Sequence, residues 1–566
     1  MGKYKKIDYV ERCVRMKISL SEYIATRISE LDIEYVFGVP GSYIMPVWEE
    51  VAKKNKIVLG CHETGAGFMA EGFSRAKRKS SVLLTTSAPG VTNAVTAIAN
   101  AYMDSVPLLI ISGQVSTDDI GKGAFQECSN LNRSFSQNSL LSSITKSQIE
   151  IVDINNAQFL FESAINVANS GRPGPVHITL PINIQKQKFN FVKDSLYNFG
   201  KSEEYIDNDD IIKIINLSKR PLIYVGWGAF LSDSAKLIEK LSLKITAPII
   251  TSLKGLSNIK TDSLMYVGHL GMGADDYIID FLKKYDCDLI IVLGSSLSKR
   301  TVAGAKEIFE KAPVLNINID HSDSLKLNNQ KYIIADIKQF VESILHKLDS
   351  KDNIGIKNKI LDFKYKTNIK KISNIDTRCL NMSYAVNLIN DYTDENTVFF
   401  PDSGNHWLDC LSLLTLKNYN SMFLSMGLAT MGYSFGSAVG YALANPLKKV
   451  VIIGGDGSFL MSGNEIVNAI RYKLNLVVII INNSSLGRVR IGMRDDAYTN
   501  FSTSDIDDIS YCEIGKGLGF KTFKVLDISH LKKAYKYAFS KSEPILIEVV
   551  VNKDDTPLFL RKGDSK

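Results

Sequence analysis

Two short runs near the C-terminal end, residues 449–454 (KVVIIG) and 476–481 (LVVIII), are apolar at almost every position. Continuous rather than alternating apolarity predicts strands buried on both faces, as in a parallel sheet. The segment between them predicts a helix near residues 463–472. Similar runs recur at 221–225, 248–251, 289–294 and 314–319, with helical stretches between them. Strand and helix in alternation predict an α/β fold with parallel sheets. Residues 192–210 are polar and charged and read as a linker. Residues 349–376 lack a strand pattern and read as a linker containing a helix. Three doubly wound parallel-sheet domains follow, at 18–190, 205–348 and 375–555.

The turn after the first run reads Gly455-Asp456-Gly457, and Asn482-Asn483 closes the second after 24 intervening residues. Ligands of open α/β sheets bind where strands end. Asp456 offers a hard oxygen suited to Mg²⁺, and Asn483 offers a second. Gly457 and Ser458 can bring an N–H group and a hydroxyl close to phosphate, and a helix N-terminus favours the same anion. Either half alone is an ordinary turn. The two together, at this spacing, suggest a metal-bound diphosphate.

This pattern resembles the thiamine-diphosphate motif. The resemblance implies that Asp456, the Asn483 side chain and the Ser485 carbonyl hold Mg²⁺, with Gly455, Gly457 and Ser458 beside the diphosphate. Further segments agree in order: 37–46 (FGVPGSYIMP), 61–67 (CHETGAG), 83–96 (LLTTSAPGVTNAVT), 101–115, 124–127 (AFQE) and 171–181 (GRPGPVHITLP). Together they resemble the acetolactate synthase and pyruvate oxidase group of thiamine-diphosphate enzymes, over about 18–185 and again 375–555. The three domains then correspond to pyrimidine-binding, central and diphosphate-binding domains. Glu63 by itself reads as a helix-capping carboxylate. By resemblance it is the cofactor-activating glutamate, a role suited to a carboxyl group in an apolar setting. Met431 falls where an apolar residue bends the cofactor, and the Ala429 carbonyl where its amino group is met. Gly404, Asn405 and His406 align with a diphosphate-binding Gly-Gln-His segment, with Asn in place of Gln.

Composition narrows the alternatives. The chain has 566 residues, 45% of them hydrophobic, with a net charge of +7 spread over mixed signs. No basic patch with interleaved aromatics supports nucleic-acid binding. No apolar run approaches the roughly 20 residues needed to span a membrane. The seven cysteines form no C-x-x-C pair, which suits a reducing, cytoplasmic setting.

The resemblance implies FAD in the central domain and leaves its presence open. Gly226-Trp227-Gly228-Ala229, 268–273 (GHLGMG) and Arg172 match flavin-facing segments, whereas 295–298 (SSLS) departs from the acetolactate synthase pattern. The expected activity is thiamine-diphosphate- and Mg²⁺-dependent decarboxylation of a 2-oxo acid, pyruvate, with carboligation of the resulting enamine to a second carbonyl. The alternatives are a non-ligating decarboxylase or oxidase, or a catalytically silent paralogue. Gln126 and Gln114 are expected near the substrate channel. Tyr43 replaces a small residue of the related enzymes, and Arg488 replaces a Met. Arg488, with Arg490 and Arg494, is expected at the pocket mouth, facing an anionic acceptor; the plain alternative is a solvated basic helix face. The related enzymes place the cofactor between chains, so a homodimer or homotetramer is expected.

Overall fold

The computed structural model describes residues 15–192, 208–274, 276–299, 301–321, 327–558 and 560. Its contacts divide the chain into two units, residues 1–70 with 79–202, and 71–78 with 203–566.

The first unit carries a six-stranded parallel sheet. Its order is Lys56–Leu59, Tyr35–Gly38, Ser81–Thr85, Leu108–Gln114, Pro175–Pro181, Ser147–Glu150. Leu108–Gln114 and Pro175–Pro181 are buried along their whole length, and most of their side chains are apolar. An antiparallel pair, Arg15–Ser19 with Lys188–Val192, joins the two ends of this unit.

The second unit contains two parallel sheets. One has the order Tyr266–His269, Ile249–Thr251, Pro221–Val225, Leu289–Leu293, Val314–Asn318, Gln330–Ile334. Counted along the chain this is 3-2-1-4-5-6, the doubly wound order with a crevice where the direction of winding reverses. Apolar runs predicted four of its strands. Tyr266–His269 holds a glycine, and Gln330–Ile334 is a half-exposed edge strand, so neither carries the buried-strand pattern. The other sheet has the order Thr397–Pro401, Lys449–Gly455, Leu476–Asn482, Ile545–Val550, Lys521–Val525. Leu476–Asn482 lies at its centre and is wholly buried. The α/β expectation of three parallel sheets therefore holds.

Of the first expected linker, residues 193–207 lie outside the described residues. The second holds a 20-residue helix, Ile354–Ser373, capped by the Asn353 side chain, which accepts the Ile356 N–H. Ile356 and Ile360 fix one face of this helix to the core. Among the described residues no helix is long and apolar enough to cross a membrane.

Candidate active site

Strand Lys449–Gly455 passes into a helix with no intervening loop. The helix Asp456–Ser462 starts on Asp456 itself, a 3-10 turn covers Gly463–Ile466, and Val467–Arg471 is helical again. The expected start near residue 463 is thus corrected by seven positions. The Asp456 carboxylate explains the early start. Its Oδ1 accepts the Gly457 N–H at 2.8 Å, one of the donors that a helix start leaves without a partner.

Its other oxygen organises the second half of the site. Asp456 Oδ2 accepts N–H groups from Asn483 at 3.2 Å and Ser485 at 3.3 Å. Ser484 between them adopts a left-handed backbone, φ 50°, which turns both N–H groups toward one carboxylate. Burial pushes the Asp456 pKa up, and the N–H groups of Gly457, Ser485 and Asn483 work against that shift. Gly487 follows, and its N–H donates to the Ser485 carbonyl at 2.8 Å. A Cβ on Gly487 would stand 2.6 Å from Asn405 Nδ2 and 2.8 Å from Asn483 Nδ2, so both amides close on this glycine.

These groups line a cavity of about 250 Å³. Its walls come from Ser403 to His406, from Ala429 and Met431, from Gly455 to Ser458, and from Ile481, Asn483 and Ser485 through Val489. Twelve of the site residues expected in the second unit meet here: Gly404, Asn405, His406, Ala429, Met431, Gly455, Asp456, Gly457, Ser458, Asn483, Ser485 and Arg488. Asn405 Oδ1 and His406 Nε2 are buried without a hydrogen-bond partner. Burial holds the His406 pKa down to about 4, against the backbone carbonyls of Asp402 and Ile453, so the ring is neutral at ordinary pH. Ala429 is left-handed, φ 57°, and its carbonyl accepts the Ser403 hydroxyl at 3.0 Å. A Cβ on Gly457 would lie 3.5 Å from Met431 Cε, which places the thioether end beside the Asp456 turn.

The sequence reading missed Asp402. It is buried at the end of strand Thr397–Pro401 and accepts the N–H groups of Gly432 at 2.9 Å and Ser434 at 2.8 Å. It thereby caps helix Tyr433–Ala444 from outside and holds the 429–432 turn at the cavity wall. The only signal was an Asp directly after an apolar strand.

Of the three arginines expected at the mouth, Arg488 alone lines the cavity. It is exposed, and no described residue pairs with it. The structure corrects the other two. Arg490 bonds Asp554 at 2.8 Å and Asp505 at 3.0 Å and lies over the Phe501 ring. Arg494 pairs with Asp495. Among the described residues no three His, Cys, Asp or Glu side chains gather as a metal site. A cation here would need the mixed set of one carboxylate, amide and carbonyl oxygens, and ligand phosphate.

In the first unit, Glu63 opens helix Glu63–Lys77, is 8% exposed, and accepts Asn93 Nδ2 at 3.0 Å. Asn93 stands on helix Pro89–Met103. The two helices touch closely: a Cβ on Gly67 would come within 2.5 Å of Ala97 Cβ. Tyr43 OH donates to the Phe125 carbonyl at 2.7 Å, and the Ser87 hydroxyl donates to the carbonyl of Gln126, itself left-handed at φ 59°. Gln114 donates to the Cys128 carbonyl at 2.9 Å, and its oxygen accepts Val115 N–H at 3.0 Å and Cys128 N–H at 3.3 Å. Tyr43, Gln114 and Gln126 thus gather on one loop. Gln114 is buried and bonded at both ends of its amide, so it positions that loop. Arg172 donates to Ser105 Oγ at 2.7 Å.

At the crevice of the 3-2-1-4-5-6 sheet, Gly226 N–H goes to Leu293 O and Gly228 N–H to Gly294 O. Both donors of this segment, read as flavin-facing, are occupied by carbonyls at the carboxyl end of the two central strands.

Comparison with known proteins adds independent findings. Residues 18–133 match the thiamine pyrophosphate enzyme N-terminal TPP binding domain, 209–344 the central domain and 402–549 the C-terminal TPP binding domain. The acetolactate synthase large subunit of Lactococcus lactis is 30% identical over 547 residues, covering 94% of this chain and 93% of that protein. The acetolactate synthase isozyme 1 large subunit of Escherichia coli is 28% identical, covering 96% and 95%. A probable acetolactate synthase large subunit of Methanocaldococcus jannaschii is 27% identical, covering 94% and 92%.

Proposed function

Because this chain belongs to the thiamine pyrophosphate enzyme family, we propose that it is a thiamine-diphosphate- and Mg²⁺-dependent carboligase. It decarboxylates a 2-oxo acid, pyruvate, and joins the remaining two-carbon unit to a second carbonyl. The observation that carries the cofactor half is the cavity in which Asp456, Asn483 and Ser485 converge beside two unpaired buried polar atoms. The likeness to acetolactate synthase large subunits over nearly the whole chain supports the ligation half.

The residues present fit the cofactor. A buried carboxylate held in a ring of N–H groups is poised for a divalent cation, whose charge would offset the cost of burying Asp456. Asn483 and the Ser485 carbonyl would supply further oxygens. His406 Nε2 and Asn405 Oδ1, both unpaired, would find partners in the diphosphate and its water shell. Gly404 leaves room for this: a Cβ there would meet His406 Cε1 at 2.6 Å.

When bound, thiamine diphosphate supplies a carbon acid whose anion cleaves 2-oxo acids and stabilises the resulting carbanion. In the proposal Glu63 holds the proton that promotes that ionisation, with Asn93 fixing its carboxyl group. Ile481, Leu486, Val489 and Met431 line the cavity with apolar surface, which would exclude water from the space an acceptor would enter. Arg488 offers a free guanidinium to an anionic acceptor. FAD is given no step in this proposal; an absorption spectrum of the purified protein decides its presence. The working form proposed is a homodimer or homotetramer.

The test is to incubate the protein with pyruvate, Mg²⁺ and thiamine diphosphate, with and without carbonyl acceptors. CO₂ release with a mass-shifted acceptor supports the carboligase. Release of acetaldehyde alone, or of acetate with electron transfer, favours the decarboxylase or the oxidase. No CO₂ from any 2-oxo acid favours the silent paralogue.

A further inference from the structure

Helix Ile354–Ser373 has two apolar faces. Ile356, Ile360 and Phe363 pack on the core. On the opposite side Ile354, Leu361, Tyr365 and Ile372 are each at least half exposed. They fall at a strict heptad spacing when Asn358 and Asn368, also exposed, are included. The seam reads Ile354, Asn358, Leu361, Tyr365, Asn368, Ile372, with alternating steps of four and three. That is the a/d pattern of a coiled coil. Ile369 widens the same stripe.

We propose that this face pairs with the same face of a second copy of the chain, as a short antiparallel two-stranded coiled coil about a two-fold axis. Any seam of six alternating positions superimposes on itself when reversed. What this one adds is residue type. Reversal sets Ile354 against Ile372, Asn358 against Asn368 and Leu361 against Tyr365. Apolar meets apolar and amide meets amide, as a self-complementary two-fold interface requires. Paired amides in an apolar seam fix register, because a shifted register buries them unpaired. Antiparallel pairing also sets opposite helix ends side by side.

The charges along the stripe permit the contact. On one margin Lys357 pairs with Asp352, Lys364 donates to the Ser263 carbonyl and Lys371 to the Ser412 carbonyl, all within their own chain. On the other margin Asp362 is paired with Lys366 at 2.7 Å. Lys357, Asp362 and Lys366 are thus paired, whereas Lys364 and Lys371 keep their charge and are drawn to neutral carbonyls of their own chain. A partner of another kind would need some feature that the self-match does not explain.

The test uses the full-length protein. Sedimentation of the parent is compared with the Leu361→Glu/Tyr365→Glu variant. Both sites are exposed, so melting temperature and cofactor binding are expected to stay unchanged while the oligomer loses half its mass or dissociates at least tenfold more readily. Cross-linking fixes the orientation. A chain with Asn358→Cys mixed with a chain with Asn368→Cys should give disulfide-linked pairs above the background of the native cysteines, and the Asn358→Cys chain alone should not. Unchanged mass and dissociation in the double variant, or cross-linking of the Asn358→Cys chain to itself in place of the mixed pair, would overturn the proposal.

Discussion

The backbone N–H of Asn483 donates to the carboxylate of Asp456 at 3.2 Å, across 27 positions of sequence. One residue follows a strand directly and opens a helix; the other directly follows the neighbouring strand. Adjacent parallel strands bring both to the same edge, so the anion-binding turn and the second candidate metal ligand are set by one register.

Removing that carboxylate should remove the metal. Asp456→Ala is expected to weaken Mg²⁺-dependent thiamine-diphosphate binding by at least about 100-fold, because the diphosphate would lose its counter-charge. Titration calorimetry at fixed Mg²⁺ measures it. Unchanged affinity would place the cation elsewhere.

A single methyl group should act similarly without touching a ligand's chemistry. Gly487→Ala puts a Cβ against the amides of Asn405 and Asn483. Cofactor affinity should fall about tenfold, the low end of disturbing groups around a metal, with little change in melting temperature of the apo protein. A matching loss of fold stability would instead make Gly487 a packing residue.

Glu63→Gln keeps the shape and the Asn93 contact but removes the acid. Turnover is expected to drop by about 100-fold or more, the scale of a lost acid–base group. Cofactor binding should stay near the parent value. Steady-state rates at saturating cofactor provide the check.

Arg488→Met should separate the two half-reactions. A guanidinium–anion bond contributes about 1.5–3 kcal/mol, so the KM for an anionic acceptor should rise roughly 10- to 100-fold. CO₂ release from pyruvate alone should hardly change. An equal loss in both steps would assign the arginine to structure.

His177 sets an acid limit on stability. It is buried with its Nε2 at 2.8 Å from Ser112 Oγ, and burial pushes its pKa from 6.5 to about 3. The unfolded chain therefore takes up a proton near pH 6.5 that the folded chain refuses until about pH 3. The stability is present above pH 6.5 and is lost as the pH falls from there toward 3, by about 1.4 kcal/mol per pH unit for this group. Chemical denaturation from pH 7 to 4 should show this slope in the parent and a shallower one in His177→Asn.

The parts of the site that were legible in the sequence are local ones. Gly455, Asp456 and Gly457 are consecutive, Asn482 and Asn483 close an apolar run, and strand geometry joins them. Asp402 was not legible because its partners Gly432 and Ser434 lie 30 and 32 positions away. A lone aspartate after a strand has no periodicity to betray it. Arg488 and Arg490 could not be told apart, since their roles depend on where Asp505 and Asp554 fold back. Gln114 looked like channel lining because a polar residue at a strand end is visible, whereas its bonds to the backbone at Val115 and Cys128 are not. The same holds for the sheets: buried central strands stand out, and the half-exposed edge strand Gln330–Ile334 does not.

Ala429 and Ser484 hold left-handed backbone, which glycine adopts without steric cost. Each conformation costs a non-glycine residue about 1–2 kcal/mol. Under drift that rewards stability alone, glycine should invade both positions. It would also loosen the carbonyl of Ala429 and the turn that aims two N–H groups at Asp456. Laboratory evolution toward heat resistance would meet these two codons early, and its winners there would be sturdier proteins with poorer cofactor retention.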